Sequence, residues 1–198
     1  MNFLAHIYLS GHNKDVALGN FIADRVKGKD YKNYPKDIQI GILLHREIDA
    51  FTDTHPIVRQ SKKRLYKKYR HYAGVIVDIL YDHFLAKNWK KYSSVELEIF
   101  VDDFYTLLQD NFEILPERIK YMTQFLIKDN WLLSYVSTKG IEKALVGMNR
   151  RTQGKSKMNE SIEELNEYYN EFENEFTDFF EELIAFSNDK LKILSSLT

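Results

Sequence analysis

The stretch GILLHREIDAFTDTHP, residues 41–56, decides how the chain reads. Gly41, Ile42, Leu43 and Leu44 lead into it, and His45, Arg46, Glu47, Asp49, Asp53 and His55 then fall within eleven residues. His45 and Asp49 are four apart, so on a helix they share one face, one above the other. Asp53 continues that row. Pro56 biases His55 away from the α region, which predicts a helix end near residues 51–53. An imidazole and one or two carboxylates therefore sit at the buried end of a helix. Such groups are costly to bury unless they are paired or hold a metal.

Outward from this stretch the pattern stays helical. Prolines occur only at positions 35, 56 and 116, Asn-Gly pairs are absent, and apolar residues recur mostly at steps of three and four. This predicts an all-α fold. A short first helix is expected over residues 2–9, stopped by Ser10-Gly11, and a second over 15–27, with Asn13 as its cap and Gly28 as its stop. Pro35 suits the first turn of the helix that carries the central stretch. Further helices are predicted from Pro56 to about Tyr69, over 73–89, from a Ser94 cap to about Asn111, from Pro116 to about Tyr135 in one or two pieces, and over 138–151. Residues 151–159 read as a polar loop around Gly154. Residues 160–194 read as one long helix, with an apolar stripe running from Ile162 to Ile184. That stripe predicts docking on the body, with dimerisation as the alternative.

A chain of 198 residues suits one domain, here a body over 1–151 and an acidic tail over 155–198 packed on it. The absence of cysteine excludes disulfides, a thiolate zinc site and a cysteine nucleophile, and suits a reducing cytoplasm. The apolar run of MNFLAHIYLS is too short and interrupted for a signal peptide or a membrane span. The net charge of −1 gives no global attraction to nucleic acid, but it is unevenly spread. Residues 155–198 hold eleven acidic and four basic residues, and residues 1–154 hold eighteen acidic and twenty-four basic. A basic body with an acidic tail is a first clue about partners.

Three further groups could carry chemistry. His6 lies in an apolar segment, as a ligand or as a hydrogen-bonded core residue. Asn20 and Asp24 are four apart in GNFIADRVKG, with Asp24 either a ligand or an ion-pair partner of Arg25 or Lys27. Asp78 and Asp82 share a face of the apolar segment VIVDILYDHFLA, where two carboxylates one turn apart repel unless a cation or an arginine such as Arg46 lies between them. Mixed His and Asp donors without thiolate favour Mn²⁺, Mg²⁺ or Fe over a structural zinc. No Walker A loop, GxGxxG or GxSxG occurs, so the chemistry indicated is hydrolysis by metal-activated water. The set Asp24, His45 and Asp78 is the first choice of ligands, followed by His6, Asp49 and Asp82, with Arg46 as the cation facing a phosphate. A second constellation, RQSKKRLYKKYR over 59–70, carries Arg59, Lys62, Lys63, Arg64, Lys67, Lys68 and Arg70 with no acidic residue. It is either a solvated face or a docking surface for an acidic protein, a nucleic acid or a phosphate-bearing ligand.

The strings MNFLAHIYLS, GNFIADRVKG, IQIGILLHREIDAFTDTHP, AGVIVDILYDHFLAKNW and the late WLLSY and GIEKALVGMNRR resemble, in order, the acyl carrier protein phosphodiesterase family. The resemblance covers residues 1–151 and carries little of the tail. It implies an all-helical, HD-phosphohydrolase-like bundle and a divalent metal, typically Mn²⁺. It also implies removal of the 4′-phosphopantetheine arm from holo acyl carrier protein, an acidic partner that suits the basic segment. The chain departs from the usual HD pattern: no His-Asp dipeptide occurs, and the nearest pair, Asp82-His83, is reversed. Two other readings remain open at this point. One is a hydrolase of a nucleotide or other small phosphodiester. The other is a non-enzymatic helical adaptor for acidic partners.

Overall fold

The computed structural model describes residues 1–197, which form eleven α-helices joined by short 3-10 turns and loops. The helices are α1 (Phe3–Tyr8), α2 (Lys14–Ile22), α3 (Lys36–Thr54), α4 (Pro56–Tyr69), α5 (Ala73–Lys87), α6 (Leu97–Asp110), α7 (Glu117–Lys128), α8 (Trp131–Ser134), α9 (Thr138–Arg151), α10 (Ile162–Glu167) and the long α11 (Tyr169–Leu197). The all-α reading is therefore correct. Among the described residues no helix is long and apolar enough to cross a membrane.

Local chemistry explains the boundaries that matter for the site. The Asn13 side chain accepts from the backbone N–H groups of Asp15 and Val16 and so starts α2 as its cap. Pro56 opens α4 at its first turn, where its missing N–H costs nothing. Pro35 sits one residue earlier than expected, at the N-cap of α3 in an extended conformation. α3 runs to Thr54, one residue beyond the predicted end, and the backbone leaves the helix at His55 as Pro56 requires.

Four expectations change. The helix predicted over 15–27 ends at Ile22, tightens into a 3-10 turn over Ala23–Arg25 and leaves through Gly28 at φ 48°. Ser94 does not cap α6, which starts at Leu97 behind Glu96; the neighbouring Ser93 instead bonds the backbone of Val95. The helix of residues 73–89 stops at Lys87, with a 3-10 turn over Trp89–Lys91. The single long helix of the tail is broken at Tyr168, where φ −113° and ψ 31° separate α10 from α11. The break has a cause in packing: α10 is tied to α4 by Tyr69 Oη donating to Glu164 at 2.6 Å, whereas α11 lies along α3, α4 and α5.

Two helix pairings set the frame. α2 and α3 cross with their backbones in contact. A β-carbon on Gly19 would lie 2.1 Å from the Ile38 carbonyl oxygen, and one on Gly41 would lie 2.1 Å from the Val16 carbonyl oxygen. Only glycine allows that approach. On the opposite side α11 buries Phe172, Phe176, Phe179, Phe180 and Leu183 completely, against a core that includes Tyr81 and Phe84 of α5. The apolar stripe of the tail is thus core, as its spacing predicted.

Candidate metal centre

The crossing of α2 and α3 brings Asn20 against two histidines from different helices. His6 of α1 and His45 of α3 stack with ring centroids 4.0 Å apart and planes 19° from parallel. Both are buried. The Asn20 amide group is fixed by its donors: Nδ2 donates to the His6 carbonyl at 2.9 Å and to Ser10 Oγ at 3.0 Å. A carbonyl can only accept, so Oδ1 must face the rings. His6 Nδ1 lies 2.8 Å from Oδ1, and His45 Nδ1 lies 2.9 Å from the Asn20 carbonyl and 3.2 Å from Oδ1. Both rings must therefore carry hydrogen on Nδ1 and donate it to Asn20. In a neutral ring this leaves the lone pair on Nε2.

The two Nε2 atoms point into one space with Asp49, which shares a face of α3 with His45. Asp49 Oδ1 lies 3.2 Å from His6 Nε2, and Oδ2 lies 3.1 Å from His45 Nε2. Asp24 Oδ1 approaches His45 Nε2 to 3.3 Å from the 3-10 turn after α2. In the neutral rings neither Nε2 carries a hydrogen to donate to these carboxylates, and both Nε2 atoms are buried without a hydrogen-bond partner. Such orphans carry a cost of about 1–3 kcal/mol each unless something else satisfies them. One ligand atom from each of His6, His45 and Asp49 falls within 4.8 Å of the others, a set able to coordinate a metal ion. Two imidazoles and a carboxylate suit a divalent transition ion, and a fixed Nδ1–H on each histidine is the usual support for an Nε2 ligand. The residues present fit such an ion.

The electrostatics agree. Burial and the neighbouring His45 push the His6 imidazole down to about 4. Burial also pulls on His45, but the Asp24 and Asp49 carboxylates outweigh it and hold His45 up at about 9. The His45 contact in turn holds Asp24 below the usual carboxylate range. Asp49 is opposed by burial, yet the two histidines drive it well below that range. Without a cation, a proton on His45 supplies the positive charge that these carboxylates require.

The candidate residues from the sequence separate into groups. His6, His45 and Asp49 come together, with Asp24 at the edge. Asp24 is more open than its apolar context suggested, its side chain 62% exposed. Asp78 does not reach the cluster directly; it pairs with the amino group of Met1 at 3.1 Å, and that group lies 3.9 Å from Asp49. Asp82 lies elsewhere, fully buried and accepting from the backbone N–H groups of Leu4 and Ala5 at 2.8 and 3.1 Å. It caps α1 from α5 and so positions His6 from behind, and burial pushes its carboxyl up to about 7. His83 is likewise committed to the Tyr135 carbonyl and the Tyr169 hydroxyl. Arg46 turns away from the carboxylates, donating to the Val26 carbonyl at 3.1 Å with its guanidinium over the Tyr31 ring.

The basic row of α4 is partly spent inside the chain. Arg64 pairs with Glu175 at 2.6 Å, Lys62 with Asp53, and Lys68 with Glu160, Glu163 and Glu164. Arg59, Lys63 and Lys67, each four residues from the next, remain exposed and without an ion pair among the described residues. Arg70 is exposed as well, with its guanidinium 5.9 Å from the centroid of the Tyr66 ring.

Sequence reasoning missed the role of Asn20. Its signal was present: a polar residue inside the apolar run LGNFI of a helix, where it must find partners if buried. Nothing in the sequence marked the Met1 amino group.

A family model described as acyl carrier protein phosphodiesterase matches residues 1–183. The chain belongs to this family. Among curated relatives, an acyl carrier protein phosphodiesterase of Photorhabdus laumondii is 35% identical over 166 residues, 83% of this chain and 84% of the relative. One of Yersinia enterocolitica is 30% identical over 191 residues, 96% of this chain and 99% of the relative. No solved structure matches the chain. The family match extends past the polar loop into α11, beyond the 1–151 covered by the resemblance in the sequence.

Proposed function

We infer that this chain is a metal-dependent phosphodiesterase that hydrolyses the bond between 4′-phosphopantetheine and serine in holo acyl carrier protein. The products are apo acyl carrier protein and 4′-phosphopantetheine. The observation that carries this reading is the pair of buried, orphaned Nε2 atoms facing Asp49 in a member of this family. The helical core of α1 to α5 we read as HD-like, with the whole chain acting as one domain.

His6, His45 and Asp49 would hold the ion, for which Mn²⁺ is the best candidate and Mg²⁺ or Fe the alternatives. When bound, a divalent ion there supplies polarisation of the phosphoryl oxygens and acidifies a coordinated water. The chain does the rest. Asn20 holds both imidazoles in the ligating tautomer. Asp24, ionised and open to solvent, accepts a hydrogen bond from the incoming water and orients it toward phosphorus. Asp78 and Asp49 share the positive charge of the Met1 amino group, which limits the excess negative charge beside an anionic substrate.

The carrier is an acidic protein, and the unpaired row Arg59, Lys63 and Lys67 is the part of α4 free to meet it. The paired residues Arg64 and Lys68 instead hold the tail in place, and Lys62 is paired with Asp53 of α3. Incubation with holo acyl carrier protein and Mn²⁺, followed by intact mass measurement, tests the activity. The expected result is conversion to the apo mass; an unchanged mass with metal bound overturns the reading. Docking is tested separately. Lys63→Glu with Lys67→Glu should raise KM more than it lowers kcat, and turnover should weaken as salt screens charges over roughly 8 Å. Salt-independent turnover would count against this surface.

A further inference from the structure

We propose that Lys62 is the cation that binds the phosphate of the substrate, exchanging its partner Asp53 for a phosphoryl oxygen. This rests on the phosphodiesterase reading given above and adds a phosphate-binding residue to that site. It gives Lys62 a task different from that of Arg59, Lys63 and Lys67, which share its helix but carry no ion pair among the described residues.

Two helix rows fix where Lys62 lies. On α3 the row of His45 and Asp49 continues one turn on to Asp53, about 6 Å farther along the axis. On α5 Gly74 stands one turn before Asp78, again about 6 Å away. At one end the two rows are joined by the Met1 amino group, 3.1 Å from Asp78 and 3.9 Å from Asp49. At the other end they are joined by Lys62 of α4. Its Nζ lies 2.9 Å from Asp53 Oδ1. A β-carbon on Gly74 would lie 3.6 Å from the same Nζ and 3.4 Å from Lys62 Cε. Lys62 is thus held against both helices, one turn from the carboxylate that faces the two histidines.

Access and charge give this position its role. The side chains of Asp49 and Asp78 are 42% and 30% exposed, so solvent reaches the space between the rows. An anionic phosphate entering there meets three carboxylates, Asp49, Asp53 and Asp78, and needs a cation able to turn to it. The Met1 amino group is buried and already shared by two of them. Arg46 is committed to the Val26 carbonyl and the Tyr31 ring. Lys62 holds one carboxylate only, that of the exposed Asp53. Such a solvated ion pair is weak, so the ammonium can leave it while the stem stays packed at Gly74. Lysine meets phosphate as a point charge and needs no fixed fork of donors. Its attraction grows as negative charge builds on the phosphoryl oxygens, so it acts on kcat, whereas a residue that only docks the carrier acts on KM.

The test uses the full chain with Mn²⁺ present. Binding of 4′-phosphopantetheine and of pantetheine, which lacks the phosphate, is measured by calorimetry for wild type, Lys62→Gln, Lys62→Arg and Asp53→Asn. Turnover of holo carrier protein is measured in parallel. Lys62→Gln should weaken 4′-phosphopantetheine roughly tenfold or more, the loss expected of one charge-assisted hydrogen bond, and leave pantetheine unchanged. Lys62→Arg should recover most of that loss. Asp53→Asn removes the competing carboxylate and should tighten 4′-phosphopantetheine without affecting pantetheine. In Lys62→Gln kcat should fall more than KM rises, while Mn²⁺ affinity and melting temperature stay at wild-type values and show that fold and cluster are intact. Wild-type kcat and wild-type affinity for 4′-phosphopantetheine in Lys62→Gln would overturn the proposal while leaving the hydrolase reading standing. A raised KM with unchanged affinity for the free arm would also overturn it, and would return Lys62 to the docking surface. Failure of wild type to release the arm at all would instead overturn the hydrolase reading.

Discussion

Asn20 decides the chemistry of two other residues without being able to react itself. Its amide and its carbonyl collect both Nδ1–H groups, and that fixes where the lone pairs go. Replacing Asn20 by Ala frees both rings to choose the other tautomer. We expect Mn²⁺ affinity to fall by a factor of ten or more, the loss typical of a support behind a metal ligand. The ¹⁵N shifts of the His6 and His45 rings should change from one tautomer to a mixture, with little change in helical circular dichroism. Unchanged ring shifts would remove this role from Asn20. His45 gives a second outcome at the same scale. Its pKa is held at about 9, above the ordinary imidazole value of 6.5, so at neutral pH a proton occupies the nitrogen that the ion needs. Apparent Mn²⁺ affinity should then rise nearly tenfold per pH unit from 7 toward 9, with about one proton released per ion at pH 7 in calorimetry across several buffers. His6, down at about 4, adds nothing in that window. For the metal-free protein the sign reverses: the charged His45 stabilises the fold fully below about 6.5 and loses that contribution as pH rises through about 9.

Helix pairs explain what could be read in advance and what could not. α4 and α9 match their predicted limits because Pro56 and Ser137 mark their starts; the Ser137 side chain accepts from Gly140 N. The row His45–Asp49 was legible because it depends only on helical spacing. Asp24 was harder to place, since the change from α-helix to 3-10 turn at Ala23 rotates it off the face assumed for a continuous helix. Asp82 and Arg46 were misleading for a common reason: a buried or half-buried charge needs a partner, and spacing does not say whether that partner is a metal, a helix end or a carbonyl. The glycine crossing of α2 and α3 carries a prediction of its own. Gly41→Ala would drive a methyl group into the Val16 carbonyl and the Asn20 amide nitrogen, backbone atoms that cannot swing aside. Stability should drop by about 3 kcal/mol or more in urea unfolding, toward the upper end for overpacked cores. Mn²⁺ affinity should fall with it, because Asn20 moves as the helices part. A variant with wild-type stability would show that the crossing tolerates separation.

At the scale of the whole molecule, the uneven charge of the chain resolves into an internal match. Acidic residues of the tail neutralise Arg64 and Lys68 of α4, and α11 covers α3, α4 and α5 with five fully buried apolar side chains. Burying one such side chain contributes about 1.5–3 kcal/mol, against about 1–2 kcal/mol per residue for ordering the backbone. The tail is a structural element first. Truncation after Gly154 should give an insoluble or partly unfolded protein, as judged by soluble yield and thermal melting. A folded truncation that turns over carrier protein faster than the full chain would make the tail an inhibitor instead.

The burial of α11 also bears on the order of events during synthesis. α3, α4 and α5 leave the ribosome long before the helix that covers them, so the apolar surface awaiting Phe172, Phe176 and Phe179 stays open for the whole interval. The histidines and carboxylates are already translated by then, yet the scaffold that holds them at fixed distances is incomplete. Competence to bind the ion should therefore appear late and abruptly, when α11 emerges, and a nascent chain stalled before it is the form most in need of a chaperone.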